Sequence, residues 1–235
     1  MGASNRNTRT AVILTSVAFF FVFLAFVTPY WLVFDGKLSA NQQKFNNLGL
    51  WEVCLVRFQD IHKWYDTLFN GCMWVFEEEY YIIHDYLLPG FYIATQFFFT
   101  LTFVLSFIGI LFMFVFLRSP RDDDRYIFIL LTTGAVQVFG GLFGLIACII
   151  WAANGDSRDW MPHWGNNNMG WSYACACLGT LIHIPAGSLF MVQARRERYK
   201  RLNEISNREA ASEYSPDDYP RSLASSSKTG VQTDI

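Results

Sequence analysis

Four stretches of this chain contain no Asp, Glu, Lys or Arg: residues 11–31, 90–117, 126–151 and 170–194, of 21, 28, 26 and 25 residues. A helix needs about 20 apolar residues to cross roughly 30 Å of hydrocarbon, so each run is long enough to span a bilayer. The two longest have length to spare and are expected to tilt or to project beyond it. Lipid offers no hydrogen bonds to a bare backbone, so the runs must be helical. The composition agrees, at 52% hydrophobic and only 16% charged. The chain therefore reads as a four-span membrane protein.

Basic residues set the orientation. Arg6 and Arg9, Arg118, Arg121 and Arg125, and Arg195, Arg196, Arg198, Lys200 and Arg201 all fall on one side, against Lys37, Lys44, Arg57, Lys63 and Arg158 on the other. The positive-inside rule then places both termini in the cytoplasm. The first run follows two arginines but is too long for a signal-peptide core and ends without a small-residue cleavage site, so it is expected to be a retained anchor. This divides the chain into a cytoplasmic N-terminus (1–10), a four-span domain (11–194) with outer loops at 32–88 and 152–169, and a cytoplasmic tail (195–235).

The first outer loop holds two of the five cysteines, Cys54 and Cys72, among Trp51, Trp64, Trp74, Val53, Val56 and Val75. Aromatic and β-branched residues around cysteines on an oxidising face suggest a small stapled sheet. Strands are expected at 30–34, 48–58 and 72–76, separated by Gly36, Asn46-Asn47 and Asn70-Gly71. Closing Cys54 to Cys72 would restrict the unfolded chain by about 3 kcal/mol on a loop-entropy argument. Tyr30 and Trp31 suit interfacial anchors. In the second outer loop Trp160, His163 and Trp164 are expected to be exposed and to meet lipid or another protein.

Within the spans, Gly140, Gly144 and Cys148 recur every fourth residue, as do Cys175, Gly179, His183 and Gly187. Small residues at that spacing let helices approach closely. Gln137 and His183 lie near mid-span, where a polar side chain must find a partner inside the bundle. A structural hydrogen bond between them, with a neutral imidazole, is expected rather than a proton relay, and Pro185 should bend the fourth helix. Cys148, Cys175 and Cys177 pack as small apolar groups. A metal site is not expected, because the Cys-x-Cys spacing is short and has no second ligand pair.

The tail is polar and serine-rich and is expected to be mostly disordered, with its basic start against anionic lipid. Its last residues, Thr233, Asp234 and Ile235, suit strand addition in the groove of a PDZ scaffold protein.

Gly49-Leu50-Trp51, Cys54 and Cys72, with Trp31 upstream, resemble the W…GLW…C…C signature of the claudin superfamily, which includes claudins, peripheral myelin and epithelial membrane proteins and calcium-channel gamma subunits. The resemblance covers residues 10–193. It implies an all-α membrane fold, a left-handed four-helix bundle topped by a small extracellular antiparallel β-sheet, with a disulfide joining two strands and Trp31, Gly49, Leu50 and Trp51 anchoring the sheet at the membrane. It further implies association with other claudin-like chains in one membrane and across two, at lateral cell junctions of the plasma membrane. The long Cys54 to Cys72 interval and the lack of Lys or Arg in 80–88 look more like the divergent claudin-like proteins of invertebrate septate junctions.

A non-enzymatic role in a paracellular barrier and in junction assembly follows from the resemblance, with an accessory subunit of a membrane channel as the alternative. The first outer loop has eight acidic residues against four basic ones. That excess favours cations along any paracellular path, although a merely solvated acidic face explains it as well. His62, His84, His163 and His183 lack metal-ligand spacing, no charge-free run holds a carboxylate, and nothing resembles a nucleophile with its base. No cofactor and no nucleic-acid partner are expected.

Overall fold

The computed structural model describes residues 6–36, 44–59, 68–120, 125–155, 160–161 and 164–213. It divides into two units, 1–195 and 196–235. In the first, helix α1 (Arg6–Val27) leads into strands β1 (Leu32–Phe34), β2 (Lys44–Leu48), β3 (Glu52–Gln59) and β4 (Leu68–Trp74). A 3-10 segment (Glu78–Ile83) and the short α2 (His84–Leu87) return the chain to α3 (Gly90–Arg118) and α4 (Arg125–Asn154). A second 3-10 turn (Trp164–Asn166) and strand β5 (Asn167–Met169) precede α5 (Trp171–Glu213). Four of the helices, α1, α3, α4 and α5, are long and apolar enough to cross a membrane.

The helices pack because their inward faces are small. On α1 the buried positions are Thr8, Ala11, Thr15, Ala18, Val22 and Ala25, recurring every three or four residues, while Phe20, Phe23 and Val27 stay exposed on the outside. Lipid tails are as apolar as leucine, so close backbone approach and van der Waals packing hold such helices together. Gly179 of α5 faces Val22 N and the Ala18 carbonyl of α1, where an added Cβ would lie 3.0 and 3.1 Å from them. Gly134 and Gly187 bring α4 and α5 together, each meeting the other's carbonyl oxygen at 2.8 and 2.6 Å by the same measure. The Gly179 and Gly187 stripe thus serves two different neighbours. Gly140 faces Leu105 of α3, and Gly144 lies between Thr102 of α3 and Thr180 of α5. Phe19 of α1 stacks on Phe103 of α3, and Phe98 of α3 on Phe143 of α4. Buried hydroxyls of Thr95, Thr102, Ser106, Thr133 and Thr180 bond carbonyls one turn back, so they enter the apolar bundle already partnered.

All five strands form one antiparallel sheet in the order β4-β3-β2-β1-β5. Irregular pairing between Phe45 and Asn47, and again between Leu55 and Phe58, gives it two bulges. At the second, Arg57 takes a φ of 53° and its N–H donates to Asn70 Oδ1 at 2.7 Å. A bulge leaves one backbone group without its ladder partner, and here a side-chain amide supplies it.

The structure corrects four expectations. The strand expected over 48–58 starts only at Glu52, because the chain turns at Gly49–Trp51 beneath the α1 end, and Asn46-Asn47 and Asn70-Gly71, expected as separators, lie within β2 and β4; the expected 30–34 and 72–76 become Leu32–Phe34 and Leu68–Trp74. The second outer loop supplies a strand, β5, whose Asn-Asn-Met sequence carries no β signal and which forms by pairing with β1. Trp31 and Trp160 are buried, whereas Tyr30 remains partly exposed. Helix α1 already begins at Arg6, ahead of the first charge-free run. In the second unit, residues 196–213 continue as helix, so the tail is not disordered from its start; this stretch is rich in Arg, Lys, Glu and Ala, which are strong helix formers. Pro185 lies inside α5, where its missing N–H removes the bond to the Leu181 carbonyl. His163 and the Thr233, Asp234 and Ile235 ending lie outside the described residues.

Candidate functional site

Trp31 is the seat of the sheet. It follows Pro29, which ends α1, and its ring is fully enclosed between Phe99 of α3, Trp151 of α4 and Tyr173 of α5, at centroid distances of 5.0, 5.4 and 5.8 Å. The indole N–H donates to the Ala25 carbonyl at 2.7 Å, satisfying one of the orphan acceptors at the helix end. Its backbone joins the strands on either side: Trp31 N–H donates to the Leu48 carbonyl at 2.8 Å, and its carbonyl accepts from Gly170 N–H at 3.0 Å. One residue therefore ties the helix ends to β2 and to the approach to α5.

Gly49 and Leu50 make the next contact. A Cβ on Gly49 would collide with the Pro29 backbone, so only glycine lets the turn lie against the α1 end. Its carbonyl accepts from the Tyr92 hydroxyl at 2.7 Å, and the Leu50 carbonyl accepts from Gln96 Nε2 at 2.6 Å. Both donors stand in the first two turns of α3. Leu50 is buried; Trp51 is half-buried, its ring edge-on to Phe26 at 5.3 Å, and its indole N–H has no acceptor among the described residues. Gly170 packs as tightly as Gly49, directly against the Tyr30 carbonyl. Ser172 completes this joint, with its Oγ 2.6 Å from Thr28 Oγ1 and its N–H donating to the Tyr30 carbonyl.

Cys54 and Cys72 are direct cross-strand partners on β3 and β4, their Cα atoms 4.0 Å apart, and are joined by a disulfide. It fastens the outermost strand, β4, to its neighbour. The Glu52 carboxylate lies beside both sulfurs, but a disulfide offers no thiolate to a metal. On the far side, Trp160 donates its indole N–H to the Tyr86 carbonyl at 3.1 Å and packs edge-on to Phe91 and Trp151. Tyr86 stacks on Phe58 of β3, and burial pushes its phenol pKa up.

Deep in the bundle, His183 Nδ1 is hydrogen-bonded to Gln137 Oε1, and its Nε2 lies 2.8 Å from Ser106 Oγ. All three side chains are buried, so α3, α4 and α5 meet at one polar node. Gln137 packs against Gly109, where an added Cβ would lie 2.7 Å from its Nε2 and displace the amide. Cys148 is buried, and Cys175 and Cys177 are partly so; all three are free thiols.

The structure thus gathers Trp31, Gly49 and Leu50 at one seat, with the disulfide above it and the Gln137 and His183 pair separate below. Sequence reasoning missed Tyr92, Gln96, Ser106, Gly134 and Gly170. Gln96 and Ser106 had a usable signal, since each is a polar residue within a charge-free run. Gly170 had none, because its need for glycine comes from the Tyr30 carbonyl, 140 positions away.

A family model described as PMP-22/EMP/MP20/Claudin tight junction matches residues 16–192. A search of curated proteins gave no match.

Proposed function

The chain belongs to the PMP-22/EMP/MP20/Claudin family, and on that premise we propose that it is a junctional membrane protein that assembles with other claudin-like chains to restrict paracellular passage at lateral cell contacts. The observation that carries this reading is a disulfide-fastened sheet held rigidly on the helix ends by Trp31, Gly49 and Leu50. A rigid platform with an open edge is what lateral assembly requires. Among the described residues the β4 edge has no strand beyond it, and on that strand Leu68 is 49% exposed. An unpaired strand edge beside exposed apolar side chains is a ready surface for another chain.

The disulfide fits a non-cytosolic location for the sheet, and together with the basic residues at 6–9 and 195–201 this supports a cytoplasmic position for both termini. There the ending Thr233, Asp234 and Ile235 would engage a PDZ scaffold. The 17-residue interval between the two cysteines favours the septate-junction type.

The test is the distribution of a tagged chain in a polarised epithelium, beside a Cys54→Ser, Cys72→Ser variant. Concentration at lateral contacts, lost in the variant together with tracer exclusion, is expected. Diffuse surface signal, intact exclusion after depletion and one-to-one copurification with a channel would overturn the junctional reading in favour of an accessory subunit.

A further inference from the structure

A cleft of about 200 Å³ lies between the end of α1 and the β3–β4 pair, lined by Val27, Leu50, Trp51, Glu52, Met73 and Trp74 among others. We propose that it holds the trimethylammonium group of a choline phospholipid from the leaflet on the sheet side. Its position is at the membrane surface: Val27 is the last residue of α1 and is exposed on the same helix as Phe20 and Phe23, while Tyr30 and Trp171 stack at the neighbouring helix ends. Tyr and Trp gather at the level of lipid headgroups. A lipid lying along α1 therefore brings its headgroup to the cleft.

The chemistry of the walls selects the headgroup. Glu52 and Trp74 are direct cross-strand partners, so their side chains share a face of the sheet. Trp74 is 55% exposed, Trp51 lines the same cleft, and the Phe76 ring contacts both, at 5.3 Å from Trp74 and 6.4 Å from Trp51. Aromatic faces attract a quaternary ammonium through their ring quadrupoles. The Glu52 carboxylate adds the opposite charge and pairs with no cationic side chain among the described residues. Among the described residues no Lys, Arg or His lines the cleft, so these walls offer nothing to hold an anionic headgroup. Leu50, Val27 and Met73 suit methyl groups better than the N–H donors of a primary ammonium. The disulfide partner Cys72 forms part of the wall and keeps the two sides at fixed spacing.

The measurement is retention of lipid by the full chain, extracted in detergent with equal amounts of phosphatidylcholine, phosphatidylethanolamine and phosphatidylglycerol and weighed by native mass spectrometry. Phosphatidylcholine should be retained preferentially. Glu52→Gln and Trp74→Leu should each lower that preference about fivefold, Trp74→Phe should keep most of it, and retention of the other two lipids should not change. Equal retention of all three lipids by the unaltered chain overturns the proposal without reliance on any variant. So does full phosphatidylcholine preference in both Glu52→Gln and Trp74→Leu. Efficient crosslinking between Trp74→Cys chains, with lipid preference absent, would assign the cleft to a second copy of this chain instead.

Discussion

At the scale of single residues, the contrast between Trp31 and Trp74 decides what each does. Trp31 is fully enclosed, touches three helices and caps α1, whereas Trp74 stands largely in the open. Trp31→Ala removes a large buried ring and leaves the Ala25 carbonyl without its donor, so it should cost about 3–5 kcal/mol. Thermal unfolding of the purified protein in micelles would show this, and Trp74→Leu should leave the same midpoint nearly unchanged. Gly49→Ala is the sharper case, since one methyl group must displace the Pro29 backbone; a loss of about 1–3 kcal/mol is expected by the same assay. The tryptophans illustrate why residue type was an uneven guide. Trp31 and Trp160 at a span end and in a loop both suggested a surface, yet Phe99, Trp151 and Phe91 enclose them.

Between elements, two fastenings work in different solvents. The disulfide joins β3 to β4 where water competes for every strand hydrogen bond, and among the described residues the strand it secures has a neighbour on one side only. Reduction, or Cys54→Ser with Cys72→Ser, should lower sheet stability by roughly 2–5 kcal/mol, read as faster proteolysis in the first outer loop while the helical signal persists. The His183, Gln137 and Ser106 node instead fastens α3, α4 and α5 where lipid excludes water. A double-mutant cycle with His183→Leu and Gln137→Leu should give a coupling of about 0.6–1.7 kcal/mol; a coupling indistinguishable from zero would reduce the node to coincidental proximity. Larger effects belong to the glycines. Gly187→Leu must push α4 and α5 apart along their backbones, because Gly134 faces it across the gap. Polar residues inside charge-free runs and small residues at fourfold spacing were visible in the sequence. Which helix each one faced was not, since the Gly179 and Gly187 stripe turns from α1 to α4 along its length.

For the whole molecule, four spans and a stapled sheet make a unit built to present one surface at the membrane. If the β4 edge assembles chains, Leu68→Ala should weaken lateral association with little effect on thermal stability, because its side chain on that strand is 49% exposed. Crosslinking yield in reconstituted membranes would separate the two. Removal of residues 233–235 should leave folding and surface delivery intact while lowering retention at cell contacts, measured as fluorescence recovery of the tagged chain. Equal recovery with and without them would leave the PDZ assignment without support.

The sequence by itself determined the number of spans, the family, the two cysteines of the staple and the small-residue seams, because each depends on local composition or on a short motif. Only the tertiary structure decided the fifth strand, the burial of Trp160 and the roles of Tyr92, Gln96 and Gly170. Asn167–Met169 becomes a strand because β1 offers it an unpaired edge. Tyr92 and Gln96 acquire their partners because the turn at Gly49 and Leu50 presents two carbonyls to the start of α3. Such groups carry no sequence signal of pairing, since the obligation to satisfy a backbone carbonyl arises only after the surrounding elements have removed it from water.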